Sequence, residues 1–483
     1  MNKVLQCLAG GLVLCLLWSI PSCAESVSQR FVKDLWEINA RMPDIWPGYK
    51  IDTPVLLYFP HDKLSCLIAH PKPPADYVLQ EGFDKRVAVY GKRGEMKYVS
   101  LFNLNYVLDG IKTVFFRIDD SIDLAQEINV FFHENFHVYQ QKTFRYTEHL
   151  TGEDRSPEHL ALFEIEVMLL KRALISSGSE QLKLMRKFLA VRRARRSEMP
   201  VGAIEFENSK ETIEGTAEYV GIRSVLPPDN GRGYVLLAAP LLWERWSLLN
   251  LANAGDAARY YMSGALQMFI LDSLNTPWKS RVQGGTSIFD TIAQYFENGL
   301  GGGEVADMKK EFGYDGLVKI AIAAAGKQEG TQARLLDKYN SSPKIIVQLP
   351  PQIKGDGPRP YAENIKNGRE NIFSNATVEV NAGDYLGLEI KSDMLSWTGA
   401  EQPVRDGTRL IYPSQYKVAA AHWADFSLEL DRKPVSDVLQ EKVSFRSIRF
   451  KNMEISLDAK CDGVVYKKDK DICIILSVCG QSR

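Results

Sequence analysis

Asn129-Val130-Phe131-Phe132-His133-Glu134-Asn135-Phe136-His137-Val138-Tyr139-Gln140 sets two histidines four positions apart, with a glutamate beside the first, inside an apolar run. Across 122–143 the apolar positions recur with a helical rather than an alternating period, so the spacing predicts a helix. Residues four apart on a helix stand one turn above each other on the same face, which lets both imidazoles reach one metal ion. Glu134 then lies beside that ion, placed to take a proton from a water that the ion activates. The chain has 7 histidines in 483 residues. At that frequency a chance His-Glu-x-x-His arises roughly 0.01 times per chain. The competing reading is a pair of packed helix histidines with a solvated carboxylate between them.

A catalytic zinc takes three protein ligands and keeps a fourth position open, so one more side chain is required. A second helical segment, Lys210-Glu211-Thr212-Ile213-Glu214-Gly215-Thr216-Ala217-Glu218-Tyr219-Val220, offers it, with Glu214 the first choice and Glu211 and Glu207 as competitors. Taken with HExxH, this segment resembles the gluzincin superfamily, the thermolysin-like and aminopeptidase-N-like zinc peptidases, in which an E-G-x-A-x-Y-like segment follows the metal-binding helix. The resemblance covers roughly 121–273. It implies one Zn2+ per chain held by His133, His137 and Glu214, Glu134 as general base, and Glu218 as a supporting partner one turn further on. Arg259-Tyr260-Tyr261-Met262-Ser263-Gly264 is similar to the Y-x-x-G helix start of aminopeptidase-like members, which makes Tyr261, ahead of Tyr260, the implied donor to an oxyanion. The chain departs from the family in spacing, because Glu214 comes 77 positions after His137. A helical insert over 159–196 accounts for the length, since the cost of closing a loop grows slowly with its size. Cys66, an alternative third ligand in the manner of the HExxH deformylases, lacks their flanking motif.

Outward from this centre the pattern changes twice. Residues 25–120 read as an α/β segment with strand-like runs at 55–59, 87–90 and 113–116, punctuated by Pro and Gly. Residues 121–340 read as mainly helical, most clearly at 122–143, 159–176, 180–195 and 210–225. From 341 to 363, Pro343, Pro350, Pro351, Pro358 and Pro360 stand with Gly355 and Gly357, a composition that reads as a linker. Residues 364–483 alternate with period two, as a small antiparallel β domain would. The expected fold class is α+β and multidomain: a strand-rich N-terminal part, a mainly helical zinc domain that the resemblance makes thermolysin-like, and a C-terminal antiparallel β domain.

Lys+Arg total 59 against 60 Asp+Glu, so no net field favours nucleic acid or an anionic membrane. Residues 1–24 read as a signal peptide: Lys3, an apolar run from Val4 to Trp18, Pro21, and a small-x-small site at Ser22-Cys23-Ala24. The expected location is therefore the periplasm or the extracellular space, with lipid attachment at Cys23 as the alternative and no later stretch long enough to span a bilayer. Past the leader, Cys66, Cys461, Cys473 and Cys479 remain, with at least one disulfide expected inside the 461–479 cluster. Arg192-Arg193-Ala194-Arg195-Arg196 reads as a solvated helix end. Gly299-Leu300-Gly301-Gly302-Gly303 lacks the Lys-Ser/Thr of a phosphate loop, and His61, His70, His149, His159 and His422 are scattered singly. The expected partner is a peptide or protein substrate. The alternative is an inactive or non-peptidase zinc protein that binds a cell-surface partner or glycan, against which the presence of Glu134 argues.

Overall fold

The computed structural model describes residues 26–96, 101–119, 123–145, 156–227, 258–274, 276–296 and 304–350, and most of 354–479 in short segments. The expected leader with Cys23, the glycine run at 299–303, His149 and His422 lie outside the described residues.

In chain order, α1 (Val27–Ile45) precedes six strands, β1 (Val55–Phe59), β2 (Leu64–Ile68), β3 (Val78–Leu79), β4 (Val89–Arg93), β5 (Phe102–Leu108) and β6 (Ile111–Arg117). Helices α2 (Leu124–Thr143), α3 (Pro157–Ile175), α4 (Gly178–Arg196) and α5 (Val201–Lys210) follow, and α5 continues through a π-turn (Glu211–Gly215) into α6 (Thr216–Val225). Then come α7 (Ala258–Ser273), α8 (Lys279–Gln283), α9 (Ile288–Phe296), α10 (Glu304–Glu311) and α11 (Tyr314–Ser341), and the regular elements described after α11 are all strands. The class is α+β, with mixed and antiparallel sheets. Among the described residues no helix is long and apolar enough to cross a membrane.

Two compact units emerge, and they interleave along the chain. The first comprises Met1–Glu148, Asn208–Leu241 and Gly264–Ile292; the second comprises His149–Glu207, Leu242–Ser263 and Ala293–Arg483. The helical stretch expected as one domain over 121–340 is thus shared between the units, and the C-terminal strands fall in the same unit as α3 and α4.

In the first unit the strand order is β3-β4-β2-β1-β6-β5. β1 lies inside it, parallel to β6 with Val55 opposite Val114 and antiparallel to β2 with Val55 opposite Ile68. All five β1 residues, Val-Leu-Leu-Tyr-Phe, are buried, as expected of a strand covered on both faces. Ser26 starts α1 with a capping box to Gln29, and Asp123 starts α2 by accepting from the Ala125 amide. One side of α2 meets the sheet where Phe131 packs on Phe116, centroids 4.8 Å apart. Another side carries Phe136 into an aromatic group with Trp46 at 5.2 Å and Tyr49 at 5.0 Å. α6 comes close to α2 at Gly221, where a Cβ would sit 2.5 Å from Asn129 Oδ1 and 3.2 Å from His133 Cβ. Glycine at that position is what admits the backbone of α6 to the His133 face.

In the second unit the arginine run at the end of α4 corrects the expectation of a solvated face. Arg192, Arg195 and Arg196 are buried. Arg192 Nε lies 2.8 Å from Glu166 Oε2, Arg195 Nη1 lies 2.7 Å from Glu207 Oε2, and Arg196 Nε lies 2.8 Å from Glu207 Oε1. Burial opposes charge on Glu207, but Arg195, Arg196 and Arg192 outweigh it and hold the carboxyl well below the usual carboxylate range. Glu166 and Glu207 supply the counter-charges that make burial of the guanidinium groups tolerable.

The expected linker at 341–363 also needs correction. Its first part, Lys344–Gln348, is a strand with Ile345 and Val347 buried, antiparallel to Gln415–Ala419 and parallel to Asp471–Cys479. Pro343 and Pro350 flank this β-branched run without interrupting it, so the prolines mark its ends. That parallel pair makes the C-terminal sheet mixed where a purely antiparallel one was expected. Cys461 is disulfide-bonded and stands opposite Cys479 in the register, whereas Cys66 and Cys473 are free.

Candidate metal centre

Every residue of this centre belongs to the first unit. His133 and His137 project from one face of α2, ring centroids 5.1 Å apart, and with Glu134 they offer ligand atoms within 4.8 Å of one another. These three residues form a group able to hold a metal ion. Across from them, the π-turn between α5 and α6 presents Glu214, whose Oε2 lies 3.7 Å from His133 Nε2 and 3.4 Å from His137 Nε2. A π-turn inserts one extra residue into a helix and so changes which side chains face a neighbour, a device common at functional sites.

The donor set can be tested against the ion it suits. Two imidazole nitrogens and a carboxylate oxygen are ligands that zinc accepts, and a tetrahedral site with bonds of about 2.0–2.1 Å has donor-to-donor edges of about 3.3 Å. The Glu214 contacts at 3.4 and 3.7 Å are near that edge length. His137 and Glu214 keep side-chain exposures of 14% and 15% against 7% for His133, so access from solvent lies on the His137–Glu214 side.

Behind the ligand atoms, each ring is held by its other nitrogen. His133 Nδ1 lies 3.1 Å from Glu218 Oε2, one turn beyond Glu214, and His137 Nδ1 lies 2.6 Å from Gln140 Oε1. Such outer partners fix ring orientation and turn Nε2 toward the Glu214 carboxylate. The Gln140 amide donates to Ile213 O at 2.8 Å and to Thr216 Oγ1 at 2.5 Å. Gly215 packs on α7, where an added Cβ would come within 2.7 Å of Gly264 Cα.

Electrostatics follow from burial and crowding. Burial disfavours a charged His133, yet its contacts with Glu214 and Glu218 prevail and push its pKa up to about 10. Burial likewise opposes charge on Glu214, but both histidines pull it well below the ordinary carboxylate range. Glu134 moves the other way: burial raises its pKa, and nearby Glu214 and Glu218 add to that against the pull of the histidines.

Of the residues expected here, His133, Glu134, His137, Glu214 and Glu218 are brought together. Glu207, a competitor for third ligand, is committed to Arg195 and Arg196 in the second unit. Glu211 is buried in the π-turn, but it is the Glu214 carboxylate that faces both Nε2 atoms. Tyr261 lies half-buried in the first turn of α7, in the second unit, and Tyr260 is buried edge-on to Phe163 and Phe206. Cys66 sits inside β2, and burial pushes its thiol up to about 12, which removes the thiolate a metal would need. Sequence reasoning missed Gln140, Thr216, Gly221 and the π-turn. The one signal for Gln140 was its position three residues beyond His137, on the metal face of the helix.

Neither protein-family models, nor curated proteins, nor solved structures give a match to this chain.

Proposed function

We propose that this chain is an exported zinc-dependent peptidase of the gluzincin kind. The observation that carries the reading is the convergence of Glu214 Oε2 on both histidine Nε2 atoms, at 3.7 and 3.4 Å, with both Nδ1 atoms already engaged by Glu218 and Gln140. In it His133, His137 and Glu214 hold the ion. Bound zinc supplies a Lewis acid that polarises a carbonyl and acidifies water.

The chain's own residues supply the rest. Glu134, next to His133 and raised in pKa by burial, takes the proton of the attacking water and returns it to the leaving amine. Glu218 keeps His133 turned toward the ion, and Gln140 does the same for His137. Export is supported by the leader-like residues 3–24 and by the disulfide at Cys461, a bond expected in an oxidising compartment.

The test compares the purified protein with Glu134→Gln by elemental analysis and by cleavage of a peptide library. One zinc per chain in both proteins, with cleavage confined to the wild type, is the expected result. Zinc in both with cleavage by neither would replace the peptidase reading with that of a hydrolase of other amides or esters, or of a binding protein. Absence of zinc would refute the ligand assignment.

A further inference from the structure

Gln140 is fully buried and its amide is fully committed. A glutamine side chain has one acceptor oxygen and two N–H donors. Here Oε1 faces His137 Nδ1 at 2.6 Å, and Nε2 faces Ile213 O at 2.8 Å and Thr216 Oγ1 at 2.5 Å. Thr216 Oγ1 in turn lies 2.6 Å from Thr212 O, which consumes its one hydrogen. The hydroxyl oxygen can therefore only accept from Gln140. Two acceptors on one side, a backbone carbonyl and this oxygen, leave a single orientation for the amide: nitrogen toward the π-turn, oxygen toward His137.

The consequence reaches the ring. Opposite an acceptor oxygen, His137 Nδ1 must carry a hydrogen, and the ring is thereby turned so that Nε2 is the nitrogen that faces Glu214. The same amide also donates to the carbonyl of Ile213, the residue just before Glu214, which within the turn already accepts from the Thr216 backbone N–H, so Gln140 adds a side-chain tie to the segment that carries the third ligand. Gly264 presses on the other side of that turn, where a Cβ on Gly215 would meet its Cα at 2.7 Å.

We infer that Gln140 is a positioning residue that fixes the tautomer of His137 and ties it to the turn bearing Glu214, so that the second and third ligands move as one body. This rests on the metal-centre reading above. It does not require that the substrate be a peptide. Nothing in Gln140 touches the ion or the reacting atoms; it acts through His137 and through the Ile213 carbonyl.

Three variants separate its two roles. Gln140→Leu removes both. Gln140→Glu keeps an acceptor for His137 but faces Ile213 O and Thr216 Oγ1 without a donor, and Thr216→Val removes the hydroxyl link while leaving the amide. Zinc affinity, read by competition with a chromophoric chelator, is expected to fall roughly 10–100-fold in Gln140→Leu and by about 10-fold in Gln140→Glu. Nitrogen-15 NMR of the metal-free protein supplies the second readout: a slowly exchanging His137 Nδ1–H in the wild type, kept in Gln140→Glu and lost in Gln140→Leu. Circular dichroism verifies folding, and if Gln140→Leu does not fold, the other two variants decide. Affinity within twofold of wild type in the folded variants would overturn the inference while leaving the metal site standing. A wild type that shows the Nδ1–H signal, lost on removing Gln140, but takes up no zinc would instead overturn the metal reading and leave Gln140's hold on His137 intact.

Discussion

Replacing Gly215 by alanine puts two opposing effects on one residue, and the structure says which wins. Gly215 has ordinary helical angles, φ −65° and ψ −37°. Judged by conformation alone, alanine there should stabilise by about 0.8–1.0 kcal/mol, the difference in helix propensity. The space contradicts this. The new Cβ would lie 2.7 Å from Gly264 Cα and 3.2 Å from its carbonyl carbon, both backbone atoms that cannot rotate away. Carbon contacts are optimal at about 3.5–4.0 Å, so the π-turn and α7 must part by about 1 Å. Overpacking of this sort costs about 1–3 kcal/mol, enough to cancel the propensity gain and leave a net loss of up to about 2 kcal/mol. Glu214 is the adjacent residue, and a 1 Å displacement of a positioned group costs on the order of 100-fold in activity. Calorimetric melting and zinc titration of Gly215→Ala would measure both, with Gly202→Ala, whose Cβ would meet nothing within 4 Å, as the control that should gain a few tenths of a kcal/mol. A Gly215→Ala protein that melts higher than wild type and binds zinc equally well would refute the reasoning.

Other expectations can be checked alongside. Glu134→Gln should lower kcat by about 10²–10⁴-fold, the usual worth of a general base, while metal content by elemental analysis stays at the wild-type level. Glu207→Ala leaves three buried guanidinium groups short of a carboxylate and should destabilise the protein by about 3–5 kcal/mol in denaturant unfolding. Because Glu207 is held below its ordinary value of 4.5, its stabilisation is complete above that pH and is lost as the pH falls below it, so the acid limb of the melting profile should be steeper for wild type than for Glu207→Gln. Cys461→Ser should cost about 2–3 kcal/mol, and the same drop should appear when the wild type is melted under reducing conditions.

What could be read from the residues was whatever short-range pattern encodes. The run Val55–Phe59 is apolar throughout and became an interior strand; the helical period of 122–143 became α2, shortened by two residues because Asp123 caps it. The four-residue spacing of His133 and His137 needed no tertiary knowledge, and Glu214 was singled out among neighbouring acids. The remainder depended on distant partners. Charge at 192–196 looked solvated because Glu166 and Glu207, which neutralise it, lie elsewhere in the sequence and meet it only on folding. The π-turn is a shift of one residue within an otherwise helical period, and no window over 210–225 distinguishes it from a plain helix. Gln140 reads as any polar helix residue until Ile213 and Thr216 are placed against it. In sequence, prolines at 343 and 350 read as a break, whereas in the fold they mark the ends of a buried strand.

The interleaving of the two units bears on how the protein is made and how it can be dissected. No contiguous fragment contains the first unit alone: the shortest described stretch that spans it, 26–292, also carries 149–207 and 242–263 from the second. During synthesis the two histidines exist before their carboxylate partner does, and at about 5–20 residues per second the 77 positions to Glu214 amount to roughly 4–15 s. Until then the first unit lacks the segments 208–241 and 264–292, including the π-turn and α6 that cover the His133 face of α2. A nascent or truncated chain ending before Glu214 therefore carries the His133–Glu134–His137 group complete on its helix but without the segment that supplies Glu214 and Glu218, so this group is synthesised well before the surroundings that position it.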